Sequence, residues 1–244
     1  MPPQFANVSK NTLRKNHYDD RSYSIFRVVT PMYVPEPTEA TRDAVLEVTS
    51  RALWRRDEGS LRIADICQAT NLSSSVIYNN FRSRQGLIDA AYLSIYASMT
   101  TEIVALFDEV SARLHSYDDL YEYISEQQTN PTQRDYWRRN RHMRLRIATA
   151  AIARPSLQND FAALQETYLR GLTAFFTTLQ DRHVVGDLLS AREMAFIFES
   201  SLLAHSFNDI ALEPADDKEW VRMLLTVLGA YGPGQPGTDE RVTR

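Results

Sequence analysis

The sequence predicts an all-α protein of about nine helices, in which a small three-helix N-terminal head precedes a larger helical domain. Helix breakers are rare, because positions 38 to 228 contain only four glycines and three prolines. Antiparallel strands need frequent turns with glycine or asparagine, whereas helix interiors exclude glycine and proline. Apolar residues also recur every three or four positions over long stretches, which is the period of an amphipathic helix.

These two signals together give the order of the elements. Helices are expected at about 39–56, 61–70, 74–80, 84–113, 117–128, 132–153, 156–181, 188–211 and 216–230. In the long fourth helix, one apolar stripe is formed by Leu87, Ala91, Ile95, Met99, Ile103 and Leu106 or Phe107. The seventh helix carries a similar stripe. The last two helices have wide apolar faces within 193–203 and 220–228, so we expect them to be buried on two sides, by their own core and by a partner.

Composition limits the class of protein. With 43% hydrophobic and 24% charged residues, the chain has the mixture of a soluble globular protein. Its single cysteine, Cys67, excludes an internal disulfide framework and fits a reducing compartment. We find no apolar run near the roughly 20 residues of a membrane span, and no secretory pattern in the first ten residues. The expectation is a cytoplasmic protein without a membrane partner.

Residues 61–80 have the pattern of a helix-turn-helix. Ser60 is expected to cap the first short helix, Asn71 to end it in the left-handed conformation, and Ser73 to cap the second helix. The inward-facing anchors are expected at Ile63, Ile66, Cys67, Leu72, Val76 and Ile77. Two short helices joined by a tight turn form the supersecondary unit that many proteins insert into DNA.

The same segment resembles the TetR/AcrR family of bacterial transcriptional regulators. The residues that match the family pattern are Ile66, Cys67, Thr70, Asn71, Leu72, Ser73, Ile77, Tyr78, Phe81, Ser83, Arg84 and Leu87. Cys67 and Thr70 stand where the pattern has alanine, and Asn71 stands where it has the turn glycine. The resemblance covers about fifty residues. It implies a homodimeric regulator, expected to be a repressor that a hydrophobic or amphipathic small molecule releases from a near-palindromic double-stranded operator.

The helix-turn-helix leads to specific expectations for DNA contacts. The second helix would enter the major groove, where asparagine can pair with adenine and a small apolar side chain can contact a thymine methyl group. Tyr78 reaches a phosphate by resemblance, and Ser60, Arg62 and Arg84 lie near helix N-termini that favour phosphate. The candidate DNA-binding residues are Arg42, Ser60, Arg62, Ser73, Ser74, Ser75, Val76, Tyr78, Asn79, Asn80 and Arg84. The alternative is that the polar members are ordinary solvated surface.

Four segments follow from these observations. They are a flexible basic extension (1–38), the helix-turn-helix domain (39–86), a helical ligand-binding and dimerisation domain (87–231) and a disordered tail (232–244). Residues 1–35 contain five basic and two acidic residues, residues 36–86 contain seven of each, and residues 87–244 contain 15 and 22. The extension either contacts DNA or is a leader without contact, and charge alone favours DNA only weakly.

The helical domain is rich in aromatic residues that fit either a core or a ligand pocket. Candidate pocket residues are Tyr96, Met99, Phe107, Tyr121, Trp137, His142, Tyr168 and Phe175. Candidate dimer-interface residues are Phe198, Leu202, His205, Trp220, Leu224 and Leu228. Arginines crowd positions 134–146, where a solvated helix face competes with the entry of one or two of them into the pocket, which would select an acidic ligand.

No enzymatic or cofactor signature is found. The sequence lacks a G-x-S-x-G elbow, a phosphate-binding glycine loop and an H-E-x-x-H motif. His205 and Asp209 are one helical turn apart, but two ligands make a poor metal site, and we expect no metal or cofactor. The alternative to a regulator is a helical small-molecule-binding or scaffold protein whose helix-turn-helix no longer binds DNA.

Overall fold

The computed structural model describes residues 39–229, and every helix expected within that range is present. The nine α-helices of these residues are α1 (Glu39–Arg55), α2 (Ile63–Thr70), α3 (Ser74–Phe81), α4 (Arg84–Ser111), α5 (Tyr117–Thr129), α6 (Pro131–Ala153), α7 (Pro155–Asp181), α8 (Ala191–Asn208) and α9 (Asp217–Val227). The described part of the chain contains no strand. The predicted extension and the predicted tail lie outside the described residues.

The chain divides into two compact units, one ending at Leu87 and the other beginning at Ile88. In the first unit, α2 packs against α1 and α3. Val45, Leu53, Ile66, Ile77 and Phe81 form its apolar core and are almost wholly buried. Burial of these five side chains is the main force that holds three short helices together, since isolated helices of this length are marginal in water.

The predicted conformation of Asn71, in the turn between α2 and α3, is confirmed. The two predicted serine caps, at Ser60 and Ser73, are not observed. Asn71 has φ 55° and ψ 35°, the left-handed conformation that was expected to end α2. The predicted cap at Ser60 is wrong, because Glu58–Ser60 form a 3₁₀ turn and α2 begins only at Ile63, with Arg62 at the N-cap. Ser73 occupies the N-cap of α3, yet its hydroxyl contacts Ser75 Oγ at 2.8 Å and caps no backbone N–H.

The second unit is a helical bundle with one large core. α7 packs extensively along α8 and also contacts α6, while α5 contacts both α6 and α9. The core residues shared by these helices include Ile103, Leu120, Tyr168, Leu172, Phe176, Met194, Val221 and Leu225. The stripe predicted along α4 is confirmed, since its members from Leu87 to Ile103 are buried.

Local signals explain where the later helices begin. Asn130 caps α6 by accepting hydrogen bonds from the backbone N–H groups of Thr132 (3.0 Å) and Gln133 (3.4 Å). Pro131 and Pro155 occupy the first turns of α6 and α7, where proline is tolerated because no intrahelical N–H is lost. Ser190 and Asp216 form capping boxes with the glutamates three residues later. These boxes set the starts of α8 and α9.

By length and composition alone, α4 could cross a membrane, contrary to the expectation from inspection of the sequence. Its apolar residues instead fill the protein core, where Ile88, Ala91, Tyr92 and Ile95 are almost wholly buried. A core helix of a soluble bundle passes the same test, so this feature is explained by packing within the protein.

Candidate nucleic-acid interface and ligand cavity

The outward surface of α3 is polar and exposed. Ser74, Ser75, Tyr78 and Asn79 all lie on the solvent side of the helix, whereas Val76, Ile77 and Phe81 face the core. Tyr78 is 44% exposed and so is accessible to a partner. These exposed side chains are of the types that form hydrogen bonds with base edges in a major groove and with DNA phosphates.

Two residues predicted to bind DNA make contacts inside the protein instead. Val76 is only 7% exposed and belongs to the core, so it is not available to a thymine methyl group. The Arg84 guanidinium donates to the backbone carbonyls of Leu61 (Nε–O, 2.8 Å) and Glu58, which ties the start of α4 to the 3₁₀ turn. Both were assigned to DNA because the sequence shows residue type and position but not the partner.

The remaining predicted contact residues surround α3 in the same unit. Arg42 is exposed and its guanidinium carbon lies 5.4 Å from the centre of the Phe81 ring. Ser60, Arg62 and Ser73 are also exposed. Asn80 is half-buried, because its Nδ2 donates to the Val76 carbonyl at 2.9 Å. Asn79 is therefore the more accessible of the two adjacent asparagines.

The second unit contains a cavity of about 100 Å³, surrounded by α4 to α9. Apolar and aromatic side chains dominate its wall, with a few polar groups. Of the predicted pocket residues, Phe107, Trp137, Tyr168 and Phe175 line it. Such a chamber, enclosed by helices and mostly apolar, is the usual form of a small-molecule site.

The other predicted pocket residues lie elsewhere. Tyr96 and Met99 are buried in the core but are not part of the cavity wall. Tyr121 is 46% exposed, and the exposed His142 ring contacts Asp209 (Nε2–Oδ2, 2.8 Å). Helical spacing alone does not separate these positions from true wall residues, because both kinds are aromatic or polar and share the same period.

The residues assigned to the dimer interface instead line the cavity. Phe198, Leu202 and His205 of α8, Trp220 and Leu224 of α9, and Leu228 just after α9 all belong to its wall. These side chains face a cavity of their own bundle, and their contact with a partner stays a prediction. Outside the cavity, the same helices expose Phe196, Phe207, Met223 and Val227.

Sequence reasoning left open which arginines of α6 are buried, and the structure separates them. Arg134, Arg138 and Arg139 are exposed, whereas Arg141 and Arg144 are buried and line the cavity. Asn140, Gln127 and Gln128 also belong to the wall and were not predicted. The helical period could have indicated Arg141 and Arg144, because they continue the buried face of α6 that includes Ile147 and Ala151.

Burial also sets the ionisation of two groups in the wall. The His205 ring stacks on Trp220 with 4.2 Å between ring centres. Burial, together with the positive charge of Arg141, lowers the pKa of His205 to about 4, so the ring is neutral near pH 7. Burial raises the pKa of Tyr168 to about 12, so this hydroxyl remains protonated. Among the described residues, no group of three or more His, Cys, Asp or Glu side chains is arranged to hold a metal ion.

Comparison with known proteins supports the fold. No protein-family model matches the chain. The HTH-type transcriptional regulator AlkX of Mycobacterium tuberculosis is 33% identical over 67 residues, which are 28% of this chain. The matched stretch spans only 32% of that relative's length.

Solved structures match over most of the chain. A protein from Mesorhizobium loti, assigned to the TetR family, has a TM-score of 0.58 and 14% identity, covering 80% of this chain and 100% of that chain. A TetR-family regulator from Agrobacterium tumefaciens has a TM-score of 0.54 and 18% identity, with coverage of 80% and 100%. A Saccharomonospora viridis protein assigned as a transcriptional regulator, solved with choline, has a TM-score of 0.57 and 18% identity, with coverage of 78% and 95%. The chain therefore has the fold of the TetR-family transcriptional regulators.

Proposed function

We propose that the chain is a cytoplasmic, homodimeric DNA-binding regulator, and that a small molecule in the helical cavity releases it from its operator. The proposal of DNA binding rests on one observation. The exposed side chains of α3 (Ser74, Ser75, Tyr78 and Asn79) form a continuous polar surface on a helix that is anchored by a buried apolar face. A helix anchored in this way can enter a major groove without losing its own packing.

The cavity supports the ligand-binding part. It is enclosed by the helices of the second unit, and no catalytic constellation accompanies it among the described residues, so we propose binding and not turnover. Its wall includes two arginines and no aspartate or glutamate. That charge pattern disfavours a cation such as the choline bound by the Saccharomonospora viridis protein. No carboxylate of the wall would offset the charge of such a cation.

The coupling that we propose runs through α4. This helix extends from Arg84 to Ser111, so the same element begins at the helix-turn-helix and contributes Ile103, Leu106 and Phe107 to the cavity wall. A ligand that favours one position of α4 would change the free energy of DNA binding, which is the thermodynamic meaning of an allosteric effector. Repression relieved by ligand is the form of regulation that we propose.

DNA binding is tested first, by selecting preferred duplexes from a random pool and measuring affinity by fluorescence anisotropy over a range of salt. Asn79→Ala should weaken binding by about 1–3 kcal/mol and relax the preference at one base pair. Arg62→Ala should weaken binding to all sequences and reduce the salt slope by about one phosphate contact. Arg139→Ala removes the same charge from an exposed site in the other unit and is the matched control.

The outcomes separate the two candidate functions. Selection of a defined sequence, with a loss for Asn79→Ala and none for Arg139→Ala, supports the regulator. Failure to select any sequence at low salt, together with an unchanged affinity of the Asn79→Ala and Arg62→Ala variants for bulk DNA, would favour the helical small-molecule-binding protein without a DNA target.

A further inference from the structure

Arg144 is a buried cation in the wall of the cavity. It lies on α6 with only 6% of its surface exposed, and its guanidinium carbon is 3.9 Å from the centre of the Tyr168 ring and 5.0 Å from that of Tyr96. Contact with two aromatic faces partly compensates a guanidinium for the loss of water. The position of this charge is therefore fixed by packing from α4 and α7.

One edge of the guanidinium is held by a polar network. Arg144 Nη2 donates to the Tyr96 hydroxyl at 3.0 Å and to Glu199 Oε1 at 3.3 Å. Gln165 Nε2 donates to both oxygens of Glu199 at 2.7 Å, and the Tyr96 hydroxyl donates to Gln165 Oε1. Because α4, α7 and α8 each contribute a side chain to this network, Arg144 is oriented before any ligand arrives.

The other terminal nitrogen has no such partner. Arg144 Nη1 is buried and makes no hydrogen bond with any described residue. A buried, charged N–H group without an acceptor is costly, and such groups are rare in folded proteins. Arg141, the neighbouring arginine of the wall, differs because Asp209 accepts hydrogen bonds from both its Nε and its Nη2. Of these two wall arginines, Arg144 is thus the one with a buried terminal nitrogen, Nη1, that has no acceptor among the described residues.

The other residues of the cavity wall indicate the charge and the size of the ligand. Two arginines and no acidic residue line the cavity, so an oxygen anion is favoured over an ammonium. Glu199 and Asp209 pair with the two arginines, so the site has one unmet donor, Arg144 Nη1, and lacks the excess positive charge that a doubly charged phosphate needs. The cavity volume of about 100 Å³ fits a small ligand.

We propose that the cavity binds a monocarboxylic acid with an apolar body, whose carboxylate accepts a hydrogen bond from the Arg144 guanidinium. The apolar body would lie among aromatic side chains such as Phe107, Trp137 and Phe175. A charged hydrogen bond shielded from water by the surrounding wall gives both affinity and selectivity for the acid. The inference rests on the proposed function only in treating this molecule as the effector.

Isothermal titration calorimetry on the full chain, without DNA, tests the inference with octanoate, octanamide and octyltrimethylammonium. The amide has the size of the acid without its charge, and the ammonium has the opposite charge. We expect octanoate to bind about tenfold or more tightly than octanamide, and the ammonium to bind most weakly. Equal affinity for acid and amide, preference for the ammonium, or binding of none of the three would overturn the proposal.

Variants show whether Arg144 is the source of the preference. The paired variant Arg144→Met with Glu199→Gln removes both buried charges together, so neither is left uncompensated. We expect the ratio of octanoate to octanamide affinity to fall to about threefold or less. Arg138→Met removes an exposed arginine of the same helix and should keep the original ratio. An unchanged ratio in the paired variant would refute the role of Arg144, and if this variant fails to fold, the ligand series on the unaltered chain decides.

DNA binding is measured separately, so the two proposals fail in different ways. If the chain binds octanoate with the expected preference but selects no DNA sequence, the proposed regulatory function is refuted and the proposed ligand is supported. Specific DNA binding by a chain that does not prefer octanoate would remove only the ligand assignment. When both hold, octanoate should lower the affinity for the selected duplex, and the Arg144→Met/Glu199→Gln variant should lose this response.

Discussion

Arg141 of α6 and Asp209 at the end of α8 form a bidentate ion pair, with Nη2 2.6 Å from Oδ1 and Nε 3.0 Å from Oδ2. The Arg141 side chain is only 4% exposed and that of Asp209 15%. Burial by itself raises the pKa of the Asp209 carboxyl, but the hydrogen bonds and positive charge of Arg141 outweigh it and lower the pKa below its ordinary value. The pair joins two helices that enclose the cavity.

Removing the acid of this pair should destabilise the second unit strongly. Asp209→Asn leaves the Arg141 guanidinium buried without a counter-charge, and we expect a loss of about 3 kcal/mol in the free energy of unfolding. Asp217→Asn is the matched control, because its pair with Arg134 (3.3 Å) is about half exposed and should contribute less than about 1 kcal/mol. Urea denaturation followed by circular dichroism measures both, and equal losses would contradict the argument.

The neutral His205 ring should make stability depend on pH. Its pKa is about 4 in the folded protein and about 6.5 in the unfolded chain, so between these values the unfolded chain binds more protons. Stability is therefore fully present above pH 6.5 and decreases as the pH falls towards 4, by up to about 3 kcal/mol. His205→Phe keeps an aromatic ring against Trp220 without titrating, and should flatten this part of the pH profile of unfolding.

A second histidine provides the comparison for that profile. The His115 side chain is exposed beyond the end of α4, away from the stacked ring. His115→Gln should leave the decrease between pH 6.5 and pH 4 in place. If the two variants show the same pH profile, the decrease has another origin than His205.

The helix positions could be predicted because their signals are local. The rarity of glycine and proline, the caps at Asn130 and Ser190, and the apolar period each lie within a few residues of the helix they specify. Asn71 was equally predictable, since its left-handed conformation depends on residue type more than on distant contacts.

The faces of the helices were harder to predict, because their partners lie far away in the sequence. In α8, both Phe198 and Phe207 are apolar, and the period separates their faces without telling which one a partner covers. Phe198 lines the cavity and Phe207 is exposed. The burial of Arg144 depends on Tyr96 and Glu199, each about fifty positions away, so residue type alone suggested a surface arginine.

Gly86, in the first turn of α4, cannot be replaced without moving the backbone. A Cβ built on this residue would overlap with the Phe81 carbonyl oxygen, and backbone has little freedom to withdraw. Gly86→Ala should therefore cost about 2 kcal/mol of stability in the helix-turn-helix unit. Gly59→Ala is the matched control, because a Cβ there meets nothing within 4 Å. Thermal unfolding and DNA affinity should change for Gly86→Ala only, and a loss for both variants would count against steric overlap.

The exposed apolar residues of α8 and α9 are the dimer surface that we propose. Phe196, Ser200, Ala204 and Phe207 recur every three or four residues, so two large rings flank small side chains that allow a partner helix to approach closely. Phe207, 63% exposed, should lose apolar burial against a second copy when changed to glutamate, and we expect the dimer to dissociate at micromolar concentration in analytical ultracentrifugation. Ile152→Glu makes the same kind of change at an 83% exposed position of α6 and should leave the dimer intact. A Phe207→Glu variant that remains dimeric would show that another surface joins the protomers.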